Sequence, residues 1–274
     1  MGRPRVTCGV VYRFLLTPRW VGLALLMAAA AAVMVGLGLW QLDRYELRSA
    51  INARIDAATT APPRGLTDVL AAPGAAGVGP PPGREDNWAR VRVTGRYDPQ
   101  HEILARARTV NDRVGYEVVT PLVLADGTAI LVDRGWVPPG PGGAATPPTV
   151  PPAPTGEVTV VGRVHAPESR ATAAEPFAGL STVRRIAPEL LASGLPYPLY
   201  GAYLTLEEQR PPADPAFVPI APSYENAWMN AGYVVQWWAF ALLALVGYVI
   251  LAVKHARSGR EWRQPAATHS GGGP

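Results

Sequence analysis

Two long uncharged apolar runs stand near the two ends of this 274-residue chain. Residues 21–40 form a run of twenty residues, and residues 231–253 form a run of twenty-three. A bilayer core about 30 Å thick needs roughly 20 helical residues, so each run is long enough to span it. The first run exceeds a signal-peptide core and lacks a clear small-residue cleavage motif after it. This favours an uncleaved anchor over a cleaved leader.

Short segments between the two runs alternate apolar and polar residues, which predicts strands. Gly95 is expected at a bend or bulge, and the sequence Ala-Asp-Gly at 125–127 at a hairpin turn. Residues 186–195 predict a short helix with Pro188 near its start. The predicted strands lie at 88–97, 102–108, 115–124, 128–137, 158–166 and 203–209.

These patterns predict an α+β membrane protein in which two transmembrane helices flank a β-rich exported domain. Pro/Gly-rich segments at 61–86 and 138–156 are predicted to be loops or a flexible linker. The predicted segments are a tail at 1–19, a transmembrane helix at 20–41, a helical extension at 42–60, a Pro/Gly loop at 61–86, the exported domain at 87–228, a second transmembrane helix at 229–253 and a tail at 254–274.

The distribution of charge predicts the orientation of the two spans. Eight of the 25 basic residues and one of the 21 acidic residues lie outside residues 41–230, which leaves 17 basic and 20 acidic residues between the runs. An excess of Lys and Arg marks the cytoplasmic side. We therefore expect a multi-pass protein of the cell membrane with both termini cytoplasmic and an extracytoplasmic central domain. The basic pI reflects the tails, so it is no argument for nucleic-acid binding.

Residues that commonly carry catalysis are sparse. The single cysteine, Cys8, lies in the predicted cytoplasmic tail, so the exported domain has neither a disulfide nor a thiolate metal site. The common hydrolase, zinc-protease, phosphate-loop and dinucleotide motifs are absent from the sequence. The central region contains two isolated histidines, His101 and His165. An isolated histidine at a strand edge is more often exposed without a function than a ligand. The sequence therefore predicts a protein that is not an enzyme.

Polar residues continue directly from the end of the first apolar run. Trp40 is expected at the outer membrane interface, with Gln41 and Arg44 sharing a helical face with it and Arg48 one turn further on. One interpretation is an interfacial anchor followed by a solvated helix. The other is a polar seam that docks on the exported domain or on a neighbouring membrane protein.

The segment Asp133-Arg134-Gly135-Trp136 ends a predicted strand. Adjacent strand residues point to opposite faces, so Asp133 and Arg134 are not expected to pair with each other. Gly135 permits a bend or a close backbone approach, and Trp136 can cover the core. The segment is either a structural corner or a binding patch built from Arg134.

The second apolar run opens with polar and aromatic residues. On a helix, Asn230, Tyr233 and Trp237 share one face, which Phe240 extends, and Gln236 lies on its flank. Trp238 is expected to point to lipid as a belt residue. An amide in apolar surroundings needs a partner, so we hypothesise that Gln236 and Gln41 help to hold the helices or their ligand together.

Taken in order, these segments resemble the surfeit locus protein 1 family of cytochrome oxidase assembly proteins. GLWQLDRYELRSAI is similar to the family's segment that leaves the first span. VTGRYDPQHEILARART and VGYEVVTPLVLADGTAILVDRGWVP are similar to its central block, and NAGYVVQWWAFAL to the opening of its second span. The matched positions are Trp40, Gln41, Arg44, Gly115, Tyr116, Pro121, Arg134, Gly135, Trp136, Pro138, Tyr233, Gln236 and Trp237.

The resemblance implies a membrane assembly factor for cytochrome c oxidase that assists haem a insertion into the oxidase's catalytic subunit. The expected cofactor is haem a, bound transiently. The expected partners are the oxidase catalytic subunit, the haem a biosynthetic enzymes and membrane lipid, and no nucleic acid. The expected cofactor-binding residues are Tyr233, Gln236, Trp237, Arg44 and Arg134, and the expected partner-facing residues are Trp40, Gln41, Asn230 and Trp136.

The sequence departs from the family pattern at Asn230, where the family often has a histidine able to ligate haem iron. Met229 and Tyr233 are nearby alternatives, whereas His255 lies at the other end of the span. Propionate pairing with Arg44 or Arg134 is a further expected contact. A scaffold that binds oxidase subunits without contacting haem is the competing interpretation. A channel subunit would need a polar stripe, which the Ala- and Gly-rich first run lacks.

Overall fold

The structure is a computed structural model that describes residues 12–74, 77–143, 146–177 and 179–261. The predicted tail cysteine, Cys8, lies outside these residues. Within the described residues the chain divides between Ile51 and Asn52 and again between Tyr224 and Glu225. One compact unit holds most of two long helices, and the other holds a sheet domain.

The helical unit is built on α1 (Pro18–Thr60) and α3 (Ala227–Glu261). Both helices are long and apolar enough to cross a membrane, judged by length and composition. At 1.5 Å per residue, the 43 residues of α1 extend about 65 Å, twice a bilayer core. The predicted helical extension at 42–60 is thus confirmed as a continuation of the same helix.

Aromatic side chains tie one end of this helix pair together. The Phe14 ring precedes α1 and lies 4.7 Å from the ring of His255 on α3, measured between centroids. The Trp20 ring lies 5.3 Å from His255 and 6.0 Å from Tyr248. The start of α1 and the end of α3 therefore lie at the same end of the pair.

The second unit is a nine-stranded mixed sheet, in which each predicted strand is found. The strands are β1 (Arg64–Gly65), β2 (Arg90–Tyr97), β3 (Ile103–Val110), β4 (Arg113–Val123), β5 (Ala129–Val137), β6 (Val158–His165), β7 (Glu175–Phe177), β8 (Leu180–Val183) and β9 (Leu199–Arg210). Their order is β1-β2-β6-β9-β5-β4-β3-β8-β7. A short α2 (Pro188–Leu191) confirms the helix predicted at 186–195.

The end of β2 also pairs with β4, through Arg96 with Val123 and Tyr97 with Leu122. This pairing closes β2, β6, β9, β5 and β4 into a ring of five strands. Gly95 lies beside the closure, where a Cβ atom would come 2.5 Å from the Val123 carbonyl oxygen. Of the predicted bend or bulge at Gly95, the bulge is wrong, since its pairing with β6 is regular. The glycine instead allows the close approach of β4.

The sheet packs a core on each face of β5. Ile130 and Val132 belong to a cluster with β2, β6 and β9, whereas Ala129 and Leu131 face a second cluster beneath α2. Leu66 and Leu70, from the Pro-rich segment 61–86, complete the first cluster. The prediction of this segment as a plain loop or linker is therefore corrected, because it contributes core residues and the short strand β1.

Candidate functional site

A cluster of polar side chains joins α1 to α3 at the end of the pair where α3 begins. The Asn230 side-chain amide donates to the Gln41 side-chain oxygen at 2.6 Å. The Arg48 guanidinium donates to the Asn230 side-chain oxygen at 3.1 Å and to the Asn226 carbonyl at 3.2 Å. Its Nε atom lies 3.5 Å from a Glu225 carboxylate oxygen. We call Gln41, Arg48, Glu225, Asn226 and Asn230 the polar cluster.

The spacing of these residues explains why they meet. Gln41 and Arg48 are seven residues apart, two helical turns, and so lie on one stripe of α1. Asn230 is only 8 % exposed. Both its amide nitrogen and its oxygen are used, one toward each end of that stripe, as a buried amide requires. The structure therefore pairs Gln41 with Asn230 and corrects the hypothesis that Gln41 and Gln236 act together.

The face of α3 that meets α1 differs from the predicted one. Asn230, Val234 and Ala241 are buried, and Trp237 between them is half-buried. Tyr233 and Gln236 turn away from this stripe and are exposed. In the described part of the chain the Gln236 side chain makes no hydrogen bond.

Trp238 is not purely a lipid-facing residue as predicted. Its indole lies against Gly38 of α1, so closely that a Cβ atom on Gly38 would overlap the ring. Small residues at helix interfaces in membranes allow this kind of close approach. The rest of the ring remains exposed, which leaves room for the predicted contact with lipid.

Trp40 and Arg44 occupy a different flank of α1 from Gln41. Both are exposed, and the Arg44 guanidinium lies over the Trp40 ring at 5.7 Å from its centroid. Among the described residues, Arg44 has no ion-pair partner. This flank therefore presents a cation and an aromatic face that the rest of the helical unit leaves free.

The corner at the end of β5 is occupied by contacts within the domain. Arg134 is 4 % exposed, and its guanidinium lies 4.8 Å from the Phe217 ring centroid and 5.3 Å from that of Tyr97. It donates to Glu102 at 3.2 Å and to the Pro152 carbonyl at 2.9 Å. As predicted, Asp133 does not pair with Arg134 and points to the other face of the strand, toward Arg108 and Glu117, and the pairing of β5 with β4 is irregular directly after Asp133.

Burial shapes the protonation of this corner. It raises the pKa of Glu102, although the Thr120 hydroxyl and Arg134 both oppose that change. Burial also lowers the pKa of Arg134, which the Glu102 carboxylate opposes in turn. The Arg134–Glu102 pair is thus a mutually dependent buried ion pair.

Trp136, predicted to face a partner, is 2 % exposed and lies inside the domain, which corrects that expectation. Its indole nitrogen donates to the Arg108 carbonyl at 3.0 Å. The Trp136 ring lies over Gly115, where a Cβ atom would come 2.5 Å from the ring. Two of the matched positions thus form one packing unit.

Sequence reasoning missed most partners in both regions. Glu225 and Asn226 precede α3, and nothing in their local pattern marks them. Glu102 lies 32 residues before Arg134, and only the fold brings the two together. The spacing of Gln41 and Arg48 was the one available signal for the polar cluster. Within the described ranges, no group of three or more His, Cys, Asp or Glu side chains could hold a metal ion.

Fold and site together define a class of protein in which two long apolar helices flank a mixed-sheet domain. A sequence model of the SURF1 family matches residues 28–242. The chain is 31 % identical to uncharacterized SURF1-like proteins of Mycobacterium bovis and Mycobacterium tuberculosis over 255 residues, which cover 90 % of this chain and 88 % of theirs. A SURF1-like protein of Monosiga brevicollis is 31 % identical over 128 residues, 43 % of this chain and 45 % of that one. The chain belongs to the SURF1 family, as its sequence motifs predict.

Proposed function

We propose that this protein is a membrane assembly factor for the haem–copper terminal oxidase, cytochrome c oxidase, and that it assists haem a insertion into the catalytic subunit. The observation that carries the proposal is the exposed flank of the helical unit. On that flank Arg44 and Trp40 of α1 offer a cation and an aromatic face on an otherwise apolar helix, and on α3 the side chains of Tyr233 and Gln236 are exposed as well. Polar groups at such positions are costly in a membrane and mark functional sites.

The proposed orientation places both termini in the cytoplasm and the sheet domain outside. Arg13 and Arg19 lie near the start of α1, and Lys254 and Arg257 lie near the end of α3. The aromatic contacts between Phe14, Trp20 and His255 bring these two ends together. One end of the helix pair is therefore strongly basic, as expected of a cytoplasmic side.

The fit of haem a to this flank is partial. A propionate would pair with the Arg44 guanidinium, and the ring system would pack on the adjacent face of Trp40. Asn230 is already engaged by Gln41 and Arg48, so it has no free group for iron. Met229 and Tyr233 are exposed and are residue types that serve as axial ligands. Bound haem a is the redox group that the oxidase needs, and this chain's residues would only hold and orient it.

A scaffold that binds oxidase subunits without contacting haem is the second candidate. The engagement of Asn230 favours it, because the position where the family often carries a histidine is used here to join the helices. The same exposed flank would then serve as a surface for a transmembrane helix of the oxidase.

The visible spectrum of the detergent-purified protein, co-expressed with the haem a biosynthetic enzymes, separates the two candidates. Stoichiometric haem a after pigment extraction is the expected result. A colourless protein that still captures the oxidase catalytic subunit would favour the scaffold. A colourless protein that captures no oxidase subunit would contradict both.

A further inference from the structure

The sheet domain contains a cavity of about 240 Å³ that plays no part in the proposed function. Residues of β3, β4, β5, β6 and β9 line it, and the segment 220–223 lies across it. At roughly 30 Å³ per water molecule, the volume corresponds to about eight waters. Its charged lining consists of Glu117, Asp133, Glu168 and Glu207 with Arg108 and Arg163.

The two arginines of the cavity are fully committed to three of the carboxylates. Arg108 lies 2.9 Å from Glu117 and donates twice to Glu168, at 2.8 and 2.9 Å. Arg163 pairs with Glu207. No cation among the described residues pairs with Asp133. Glu207 also pairs with Arg90, which lies outside the cavity lining, at 2.6 Å, so three cations face four carboxylates.

Asp133 is the carboxylate in excess. It is 2 % exposed and accepts one hydrogen bond, from the Gly135 N–H at 3.2 Å. Burial and the neighbouring Glu117 carboxylate raise the pKa of Asp133 well above its usual value, and Arg108 only partly opposes this. Glu117 faces Asp133 in the cavity, and burial raises the pKa of Glu117 as well. Both changes in pKa favour the protonated form of this pair of carboxyl groups.

His165 supplies a second, independent acceptor. Its ring stacks on Tyr203 at 5.1 Å between centroids and meets the edge of Trp88 at 4.7 Å. Burial and the charge of Arg163 lower the pKa of His165 to about 4, so the imidazole is neutral at neutral pH. In the part of the chain that the structure describes, neither ring nitrogen has a hydrogen-bond partner. One nitrogen of a neutral imidazole is an acceptor.

We propose that this cavity binds an organic cation bearing N–H donors, a primary ammonium or guanidinium group. Such a group offers donors to Asp133 and to the His165 lone pair, and its charge balances the carboxylate in excess. Trp88 also lines the cavity, and its ring would add cation–π attraction. An anion would add negative charge beside the buried carboxyl groups of Asp133 and Glu117 and is disfavoured. A metal ion is disfavoured because no suitable ligand cluster exists among the described residues.

Cation binding is coupled to proton release. The groups that face Asp133 are Glu117, Arg108, Glu168 and Tyr203. Bound cation favours the ionised form of Asp133, so its proton leaves as the cation enters. Affinity should therefore rise with pH until Asp133 is ionised in the free protein as well, and should fall as pH is lowered. If a cation were attracted only by the surface charge of the protein, its binding would not depend on Asp133.

Calorimetric titration of the full-length protein in detergent with methylguanidinium and with n-butylammonium tests this proposal. We expect saturable binding that weakens at least tenfold in Asp133→Asn and in His165→Phe, which keeps an aromatic ring but removes the lone pair. Glu189→Gln, at an exposed carboxylate on α2, is the matched control and should bind normally. Because Asp133→Asn and His165→Phe alter different residues of the cavity, the test still stands if one of the two variants does not fold.

Tetramethylammonium, a cation without N–H donors, should bind at least tenfold more weakly than methylguanidinium. Titration with a short peptide that contains one arginine distinguishes the two possible sources of the cation. Tighter binding of the peptide than of methylguanidinium indicates an arginine side chain of a partner protein. Weaker binding of the peptide indicates a free small amine. Absence of saturable binding would overturn the proposal and leave a water-filled cavity. Binding by Asp133→Asn and His165→Phe as tight as that of the unmodified protein would overturn it as well.

Discussion

The sheet corner and the helix pair present arginines that the sequence motifs treat alike, yet the fold uses them differently. Arg134 is enclosed by Glu102, Pro152 and two aromatic rings. Arg44 is exposed and touches only the Trp40 ring among the contacts that the structure describes. The difference teaches that a motif residue can be retained for the scaffold rather than for a ligand. We therefore assign propionate pairing to Arg44 and a structural role to Arg134.

The largest expected effect follows from removing one partner of the buried pair. Arg134→Leu should destabilise the sheet domain by about 3–5 kcal/mol, because it leaves the Glu102 carboxylate buried without its cation. Thermal or denaturant unfolding of the purified protein measures the change. The double variant Arg134→Leu/Glu102→Leu should recover much of the loss. A single-variant loss below about 1 kcal/mol would mean that the pair does not hold the corner.

Overpacking the same corner should have the next largest effect. Gly115→Ala places a methyl group where the Trp136 ring lies, and such overpacking typically costs about 1–3 kcal/mol. The control is Gly194→Ala, because a Cβ atom at Gly194 meets nothing within 4 Å. The unfolding midpoints of Gly115→Ala and Gly194→Ala are compared. Their difference separates the cost of overpacking against Trp136 from the effect that any Gly→Ala substitution has on the unfolded chain. Equal effects would contradict the assigned contact.

A smaller effect is expected in the helix pair. Asn230→Leu removes both hydrogen bonds that link Gln41 and Arg48 to α3, and polar contacts between membrane helices average about 0.6 kcal/mol, up to about 1.7. Gln236→Leu is the control, since that side chain is exposed and should not affect helix pairing. Cross-linking between cysteines placed in α1 and α3 reports the pairing. If cross-linking fell more in Gln236→Leu than in Asn230→Leu, the hypothesis that Gln236 helps to hold the two helices together would stand again.

The pH dependence of stability gives the finest test of the sheet domain. The pKa of Asp133 is raised in the folded state, so the folded state holds its proton more tightly than the unfolded chain. Its contribution to stability is present below the unfolded pKa and is lost as pH rises through the folded pKa. Asp133→Asn should flatten this decline above pH 4, measured by unfolding at a series of pH values. An unchanged slope would mean that Asp133 is ionised without cost.

Much of the fold could be predicted because its signals are local. The alternation in the sequence of β2 matches its alternating burial, whereas the apolar run of β5, which is buried throughout, is marked as a strand by the turn residues around it. The Ala-Asp-Gly turn joins β4 to β5 as predicted. β1, β7 and β8 are two to four residues long, too short to show a period. The closure of the ring depends on pairing between β2 and β4, which no local pattern encodes.

The candidate site was less predictable because its partners are distant in sequence. Asn230 is hydrogen-bonded to Gln41, which is 189 residues away in the sequence. The rotation of α3 about its own axis determines that Asn230, and not Gln236, faces α1. His165 reads as an idle strand-edge residue, yet the fold places it between two aromatic rings at a cavity. The sequence shows which side chains are polar or aromatic. Whether such a side chain is free to bind a ligand depends on how the elements pack, which the sequence does not show.

The central claim is that the exposed flank carrying Arg44 performs the assembly function. The direct measurement is the haem a absorbance of oxidase in membranes from cells that lack their own copy of this protein and carry either Arg44→Gln or the control Arg257→Gln at the opposite end of the helix pair. The account predicts several-fold less oxidase with Arg44→Gln at equal protein level and a normal amount with the control. A normal amount of oxidase with Arg44→Gln would contradict it.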